Sequence, residues 1–280
     1  MVNLTQTAAE LRATVIGMSH AKKCPHLGSA LSCLDILTAL YGSVLRIDPQ
    51  QPDDPNRDRF ILSKGHAAPA LYATLHRFGF FPDEVLGRFN EDGAELAEQP
   101  SPGCVPGMEA ATGSLGHGLP IGLGLALAAK IQARGYRVFV CLSDGECNEG
   151  SVWEAAMAAP ALHGAWGRGL DNLCAIVDYN KLQATGRSND ILNLPDLAAK
   201  WRAFGWNTVE VDGHDLDQLV KELSATRPGR LSDQAKPRAI IAHTVKGKGV
   251  PFMEDDNNWH YRIPKAEEVE QAKRLLGVAK

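Results

Sequence analysis

Apolar positions along the 280-residue chain alternate between two spacings. One is helical. Leu4, Ala8, Leu11, Val15 and Met18 recur every three or four residues and predict a helix over 4 to about 21. A second helix is expected from a cap at Ser29 or Ser32 to about residue 45. Small residues dominate 118–131, which predicts a helix that packs closely on a sheet or on a partner. An amphipathic helix is expected over 194–204, with Pro195 in its first turn. Asp215 is the expected cap of 216–224, and 265–280 reads as a charged amphipathic helix. The other pattern is a short, mainly apolar run ended by a polar turn, as at 59–62, 138–142, 173–177 and 237–243, with a further strand expected over 206–211. Such runs are the signature of strands buried on both faces of a parallel sheet. Strands and helices that alternate in this way predict an α/β protein, with a doubly wound, mainly parallel sheet flanked by helices.

Length and composition narrow the picture further. A chain of this size suits one large α/β domain, 1–280, with a sizeable core, and neither repeats nor linkers divide it. A formal net charge of −4 offers no basic surface for nucleic acid. No apolar run approaches the ~20 residues that cross a bilayer, and residues 1–10 lack the pattern of a signal peptide. The six cysteines form no CxxC pair and several lie in apolar runs, so reduced, mostly buried thiols in a cytoplasmic protein are expected.

The candidate chemistry sits where two apolar runs end. The first run is followed by Ser143-Asp144-Gly145 and the second by Asp178-Tyr179-Asn180-Lys181. Ligands of open α/β sheets bind beyond the carboxyl ends of the strands, so Asp144 and Asn180 are expected to face one pocket. A carboxylate and an amide oxygen are hard donors suited to Mg²⁺ or Ca²⁺, and such an ion readily bridges to phosphate. Taken alone, Asp and Asn at these positions are equally well explained as turn formers.

The spacing of Ser143-Asp144-Gly145 and Asn180 resembles the diphosphate-binding signature of thiamine diphosphate enzymes. With its surroundings, over about 8–264, the chain resembles the N-terminal part of transketolases, and closely the short chains of split transketolases. The resemblance implies the thiamine diphosphate-binding fold. It implies Mg²⁺, with Ca²⁺ or Mn²⁺ as substitutes, held by Asp144, Asn180 and the carbonyl of Leu182. His66, in Ser63-Lys64-Gly65-His66, resembles a family histidine that contacts diphosphate and sugar. His26 resembles one that faces the substrate channel, and His260 one that closes over the diphosphate. Residues 112–118 resemble the segment that holds the aminopyrimidine, which places Gly113, Ser114 and Leu115 on the cofactor. Gly145 and Glu149 complete the implied cofactor set, Glu149 near an interface between chains. His117, where the family has glutamine, reads equally as a site residue or as a locally packed helix start. The basic run 244–250 is implied to be a loop leading toward the site, and His243 to be structural.

The implied activity is transfer of a two-carbon ketol unit from a ketose, phosphorylated or not, to an aldose, with His26, His66 and His260 moving protons. The resemblance also implies a partner, a C-terminal transketolase subunit that carries the pyrimidine-binding domain, in an assembly of two copies of each chain. Two departures stand out. Gln99 occupies the place of a family histidine that contacts the donor, and 164–169 looks like an insertion near the dimer interface. A thiamine diphosphate enzyme acting on 2-oxo acids or forming acyloins, and a cofactor-binding subunit without catalysis, remain as alternatives.

Overall fold

A computed structural model describes residues 2–165, 167–226 and 236–278 of the chain. Seven strands occur among them. They are β1 (Arg59–Leu62), β2 (Val138–Ser143), β3 (His163–Gly164), β4 (Gly167–Arg168), β5 (Leu173–Tyr179), β6 (Asn207–Asp212) and β7 (Arg238–His243). Five of them form one parallel sheet in the order β1-β2-β5-β7-β6. The sheet is covered on both sides, as the mainly apolar runs predict. In β2, Phe139 and Cys141 join one core, with the helices Leu4–Lys22, Ala68–Arg77 and Leu216–Ser224. Val138, Val140 and Leu142 join the other, with Gly118–Ile131, Gly150–Ala161 and Leu197–Ala203. The same alternation runs through β5 and β7. The apolar residues of the central strands β2, β5 and β7 thus alternate between two cores, one on each face of the sheet.

The small-residue helix packs as expected. A Cβ at Gly122 would lie 2.4 Å from Val140 Cγ2, so the helix sits directly on β2. Asp215 caps Leu216–Ser224 by accepting from Gln218 N at 3.0 Å. All six cysteines are free thiols, five of them buried.

Other expectations are corrected. The second helix is not continuous and is not capped by Ser29 or Ser32. It begins at Leu27 after His26, pauses at Cys33, resumes over Leu34–Ala39 and ends in a π turn, Leu40–Val44. The serines are engaged elsewhere. Ser32 Oγ donates to Asp178 Oδ2 at 2.6 Å, and the Ser29 carbonyl accepts from Lys64 Nζ at 2.9 Å. Pro195 lies outside its helix, because Asp196 caps Leu197–Ala203 by accepting from Ala199 N at 2.9 Å. The last helix is Ala266–Leu275, and it stops where Gly277 takes a left-handed turn with φ 69°. The expected insertion contains a two-stranded antiparallel hairpin, β3–β4. Trp166 within it, and residues 279–280 of the expected C-terminal helix, lie outside the described residues.

At the carboxyl edge of the sheet the loops are tied by a buried ion pair. Lys64, just after β1, donates to Asp178 Oδ2 of β5 at 2.5 Å, and both side chains are wholly inaccessible. Asp178 also accepts from Ser32 and from Thr244, which follows β7. Burial opposes charge on both groups. Their mutual attraction prevails, holding the Lys64 ammonium above its usual range and Asp178 below the usual carboxylate range. Removing one partner strands a buried charge. Lys64→Met is therefore expected to lower the unfolding free energy by about 3–5 kcal/mol in chemical denaturation. The double variant Lys64→Met/Asp178→Asn is expected to lose less than the sum of its two single changes.

Candidate functional site

The carboxyl ends of β1, β2 and β5 open into a cavity of about 360 Å³. Its wall includes His26, His66, Gln99, Gly113, Leu115, Gly145, Glu149, Asn180, Leu182 and His260. Residues from opposite ends of the sequence meet here because parallel strands deliver all their following loops to one edge.

The three histidines expected to act together form one cluster. Ring centroids lie 5.4 Å apart for His26 and His66, 4.9 Å for His26 and His260, and 5.8 Å for His66 and His260. His26 is held in a left-handed conformation, φ 67°, with its N–H donating to His260 O at 2.6 Å. Such a conformation is uncommon for a residue other than glycine and tends to mark functional sites. All three rings are kept neutral at neutral pH. For His66, burial and then Lys64 push the imidazole well below its usual range. For His260, burial and then Lys246 lower it to about 3. Burial also lowers His26, opposed by Glu98 and aided by Lys246. Lys246 approaches His260 Nδ1 at 3.0 Å. An ammonium only donates, so Nδ1 accepts and the ring proton of His260 resides on Nε2.

The sheet register brings the strand-end pair to neighbouring positions, but the expectation that both face one cavity is corrected. Ser143 of β2 lies beside Asp178 of β5, so Asp144 and Asn180 emerge beyond neighbouring strands. Asn180 and Leu182 line the cavity, whereas Asp144 does not. The Asp144 carboxylate accepts from Lys181 N at 3.0 Å, from Ser188 Oγ at 2.7 Å and from Gly145 N at 3.1 Å. It is 5% exposed and makes no ion pair among the described residues. Burial raises its carboxyl to about 6, opposed by the Ser188 hydrogen bond and reinforced by Asp178. A buried carboxylate without a cation, close in fold to the Asn180 amide oxygen and the Leu182 carbonyl, is an all-oxygen donor set of the kind hard divalent ions take.

Gly113 and Leu115 reach the cavity wall, while Ser114 is exposed and outside it. Gly113 has φ 142°, a conformation that side-chain-bearing residues rarely adopt, and a Cβ there would lie 1.7 Å from Gln99 Oε1. The close neighbour of Gly65 is the chain itself and not a ligand, since a Cβ there would meet Thr112 C at 2.5 Å. His117 is exposed, lies outside the cavity wall and has its ring Nδ1 3.2 Å from Leu115 O. His243 faces Glu210 at 3.0 Å, away from the cluster.

Sequence reasoning missed Lys64, Glu146, Asp178 and the placement of Lys246 against the histidines. Glu146 is fully buried. It accepts from Gly116 N at 3.0 Å, from Ser143 N at 2.8 Å and from Ser63 Oγ at 2.5 Å, which ties the 112–118 segment to β1 and β2. A lysine directly after a buried strand, and an aspartate inside one, were the available signals. A charge in such a run requires a partner.

The profile of the family described as the transketolase thiamine diphosphate binding domain matches residues 4–280. The chain belongs to this family. It is 40% identical over 263 residues to one of the subunits of the apulose-4-phosphate transketolase of Phocaeicola vulgatus, covering 94% of this chain and 90% of that one. It is 42% identical over 229 residues to SqwG, a subunit of the 6-deoxy-6-sulfo-D-fructose transketolase of a Clostridium species, covering 82% and 80%. The fold superposes on the transketolase of Leishmania mexicana with a TM-score of 0.90 at 26% identity. That match covers 99% of this chain but 42% of the Leishmania chain. The doubly wound sheet is thus the thiamine diphosphate-binding fold, and the chain is a transketolase-type transferase built to bind thiamine diphosphate. Among the described residues no helix is long and apolar enough to cross a membrane.

The state of Asp144 has a direct thermodynamic consequence. Its folded value, about 6, lies above the ordinary 3.8, so ionising it disfavours the ligand-free fold. The cost is absent below about pH 4 and complete above about pH 6, on the order of 2–3 kcal/mol. Asp144→Asn is therefore expected to raise the Tm of the ligand-free chain by several degrees at pH 7 and to leave it unchanged at pH 4, as read by calorimetry.

Proposed function

We propose that this chain is the cofactor-anchoring half of a two-subunit transketolase. Its reaction moves a two-carbon ketol unit from a ketose or ketose phosphate to an aldose. The whole chain, 1–280, acts as one diphosphate-binding unit. Its partner carries the pyrimidine-binding domain, and two copies of each chain assemble, in the cytoplasm. The observation that carries this reading is the convergence of His26, His66 and His260 on one cavity beside the strand-end oxygens. Relatives named as single subunits of transketolases, matched over most of their length, support the need for a second chain. Free cysteines support a reducing compartment.

When bound, thiamine diphosphate supplies the carbanion chemistry that breaks the bond beside the ketose carbonyl. The residues of this chain do the rest. Asp144, Asn180 and the Leu182 carbonyl hold Mg²⁺ (Ca²⁺ and Mn²⁺ are suitable substitutes), which seats the diphosphate. Gly113 and Leu115, with Ser114 between them, support the aminopyrimidine, and Gly145 and Glu149 border the diphosphate. His66 and His26, kept neutral by burial, accept protons from substrate hydroxyls. His260 donates from Nε2, the nitrogen left protonated by Lys246. Gln99 offers the donor an amide hydrogen bond but no proton.

The test is reconstitution. Turnover of ketose phosphates is expected only when the chain is mixed with a C-terminal transketolase half, with pyruvate inert. Robust turnover by the chain alone overturns the split arrangement, and pyruvate consumption overturns ketol transfer. In the reconstituted enzyme, Asp144→Ala is expected to abolish retention of thiamine diphosphate through gel filtration. Tight retention by that variant removes Asp144 from the metal site.

A further inference from the structure

Two residues of the cavity wall, His26 and Gln183, have a buried polar side-chain atom with no hydrogen-bond partner among the described residues, and only His26 has a carboxylate facing that atom. His26 Nδ1 is buried and makes no hydrogen bond among the described residues. The nearest acceptor is Glu98 Oε1, 3.6 Å away, on a side chain 41% exposed and able to move. A shift of less than about 1 Å brings it to hydrogen-bond distance. Catalytic hydrogen bonds in ligand-free sites are often long in just this way. The backbone of His26 is held in place. Its N–H is bound to His260 O at 2.6 Å and its carbonyl accepts from Ala30 N at 3.0 Å.

We propose that Glu98 is a positioning residue that acts through His26, closing on Nδ1 to fix the proton there and leave Nε2 as the proton acceptor for substrate. This rests on the reading of the cavity as a ketose site. Among the described residues, Glu98 is the one carboxylate within ion-pair range of any of the three histidines. The other groups around His26 are His66 at 5.4 Å, His260 at 4.9 Å and Tyr261 at 5.8 Å, with the Lys246 ammonium behind them. None of these favours a protonated His26. Glu98 opposes the burial that lowers its affinity for protons. Its neighbour Gln99 is neutral, so the loop presents a single charge to the cluster. A neutral base with a fixed tautomer and a carboxylate behind it is well suited to take a hydroxyl proton and return it.

The experiment uses the full chain with ¹⁵N-labelled histidine, the His26 signals being assigned by their loss in His26→Asn. At pH 7 the ¹⁵N shifts are expected to report the Nδ1–H tautomer in the wild type and loss of that preference in Glu98→Gln. The His26 midpoint is expected to fall by about 0.5 pH unit in Glu98→Gln, the scale of a partly exposed ion pair. Glu95→Gln, on the same loop and facing Arg88, is expected to change neither. A wild-type Nε2–H tautomer, or an unchanged tautomer and midpoint in Glu98→Gln, overturns the proposal whatever the enzyme turns over. In the reconstituted enzyme, the limb of the kcat/KM profile set by His26 is expected to move to lower pH by the same amount. A limb that stays fixed while the NMR midpoint moves overturns the role in the reaction. Absence of ketol transfer in the wild type counts against the proposed function alone, since the NMR readout does not depend on turnover.

Discussion

The carboxyl edge of the sheet depends on the ion pair between Lys64 and Asp178. Both side chains are wholly buried, and a lone charge there is costly to the fold. The pair is satisfied only when several remote segments are in place at once. These are the turn after β1, strand β5, Thr244 after β7, and the helix that carries Ser29 and Ser32. The Ser32 hydroxyl, expected as a helix cap, is instead spent on this network, to which Ser29 adds its backbone carbonyl. The pair also reaches beyond its own bonds. The Lys64 charge lowers His66 after burial itself, and it adds to the lowering of Lys246 and His260. The contact that ties the loops together therefore also helps to keep the cavity's imidazoles neutral.

Three buried acids at this edge show how environment divides similar groups into different tasks. Asp178, with an ammonium and two hydroxyls, is held ionised despite its burial. Burial raises Glu146, while hydrogen bonds from Ser63, Gly116 and Ser143 oppose the shift, so it serves as a clamp between loops. Asp144 has donors but no cation, and its carboxyl rises to about 6. A site that disfavours its own charge in isolation is poised to be stabilised by a divalent ion. Stability without ligand is thereby exchanged for affinity toward one, as is common at functional sites.

The substrate-facing wall of the cavity has its own logic. Gln99 packs over Gly113, where a Cβ would lie 1.7 Å from its Oε1. The amide thus occupies volume and presents hydrogen-bonding groups without adding charge. Beside it Glu98 brings a carboxylate to 3.6 Å from His26 Nδ1.

The sequence by itself determined the architecture and the neighbourhood of the site. Apolar runs marked the buried strands β2, β5 and β7 to within a residue or two, because a strand covered on both faces is apolar except where a buried polar side chain finds a partner, as Asp178 does. The motifs around His66, Asp144, Asn180 and His260 were legible because each follows such a strand or lies in a compact loop of distinctive composition. Tertiary structure alone decided which charges meet. That Lys64 pairs with Asp178, that Lys246 sets the tautomer of His260, and that Glu98 stands behind His26 depend on loops 14 to 114 residues apart in sequence. Local spacing carries no record of such contacts. Helix starts were missed for a related reason. A serine is as able to bond a buried carboxylate as to cap a helix, and only the packed fold decides which partner it finds.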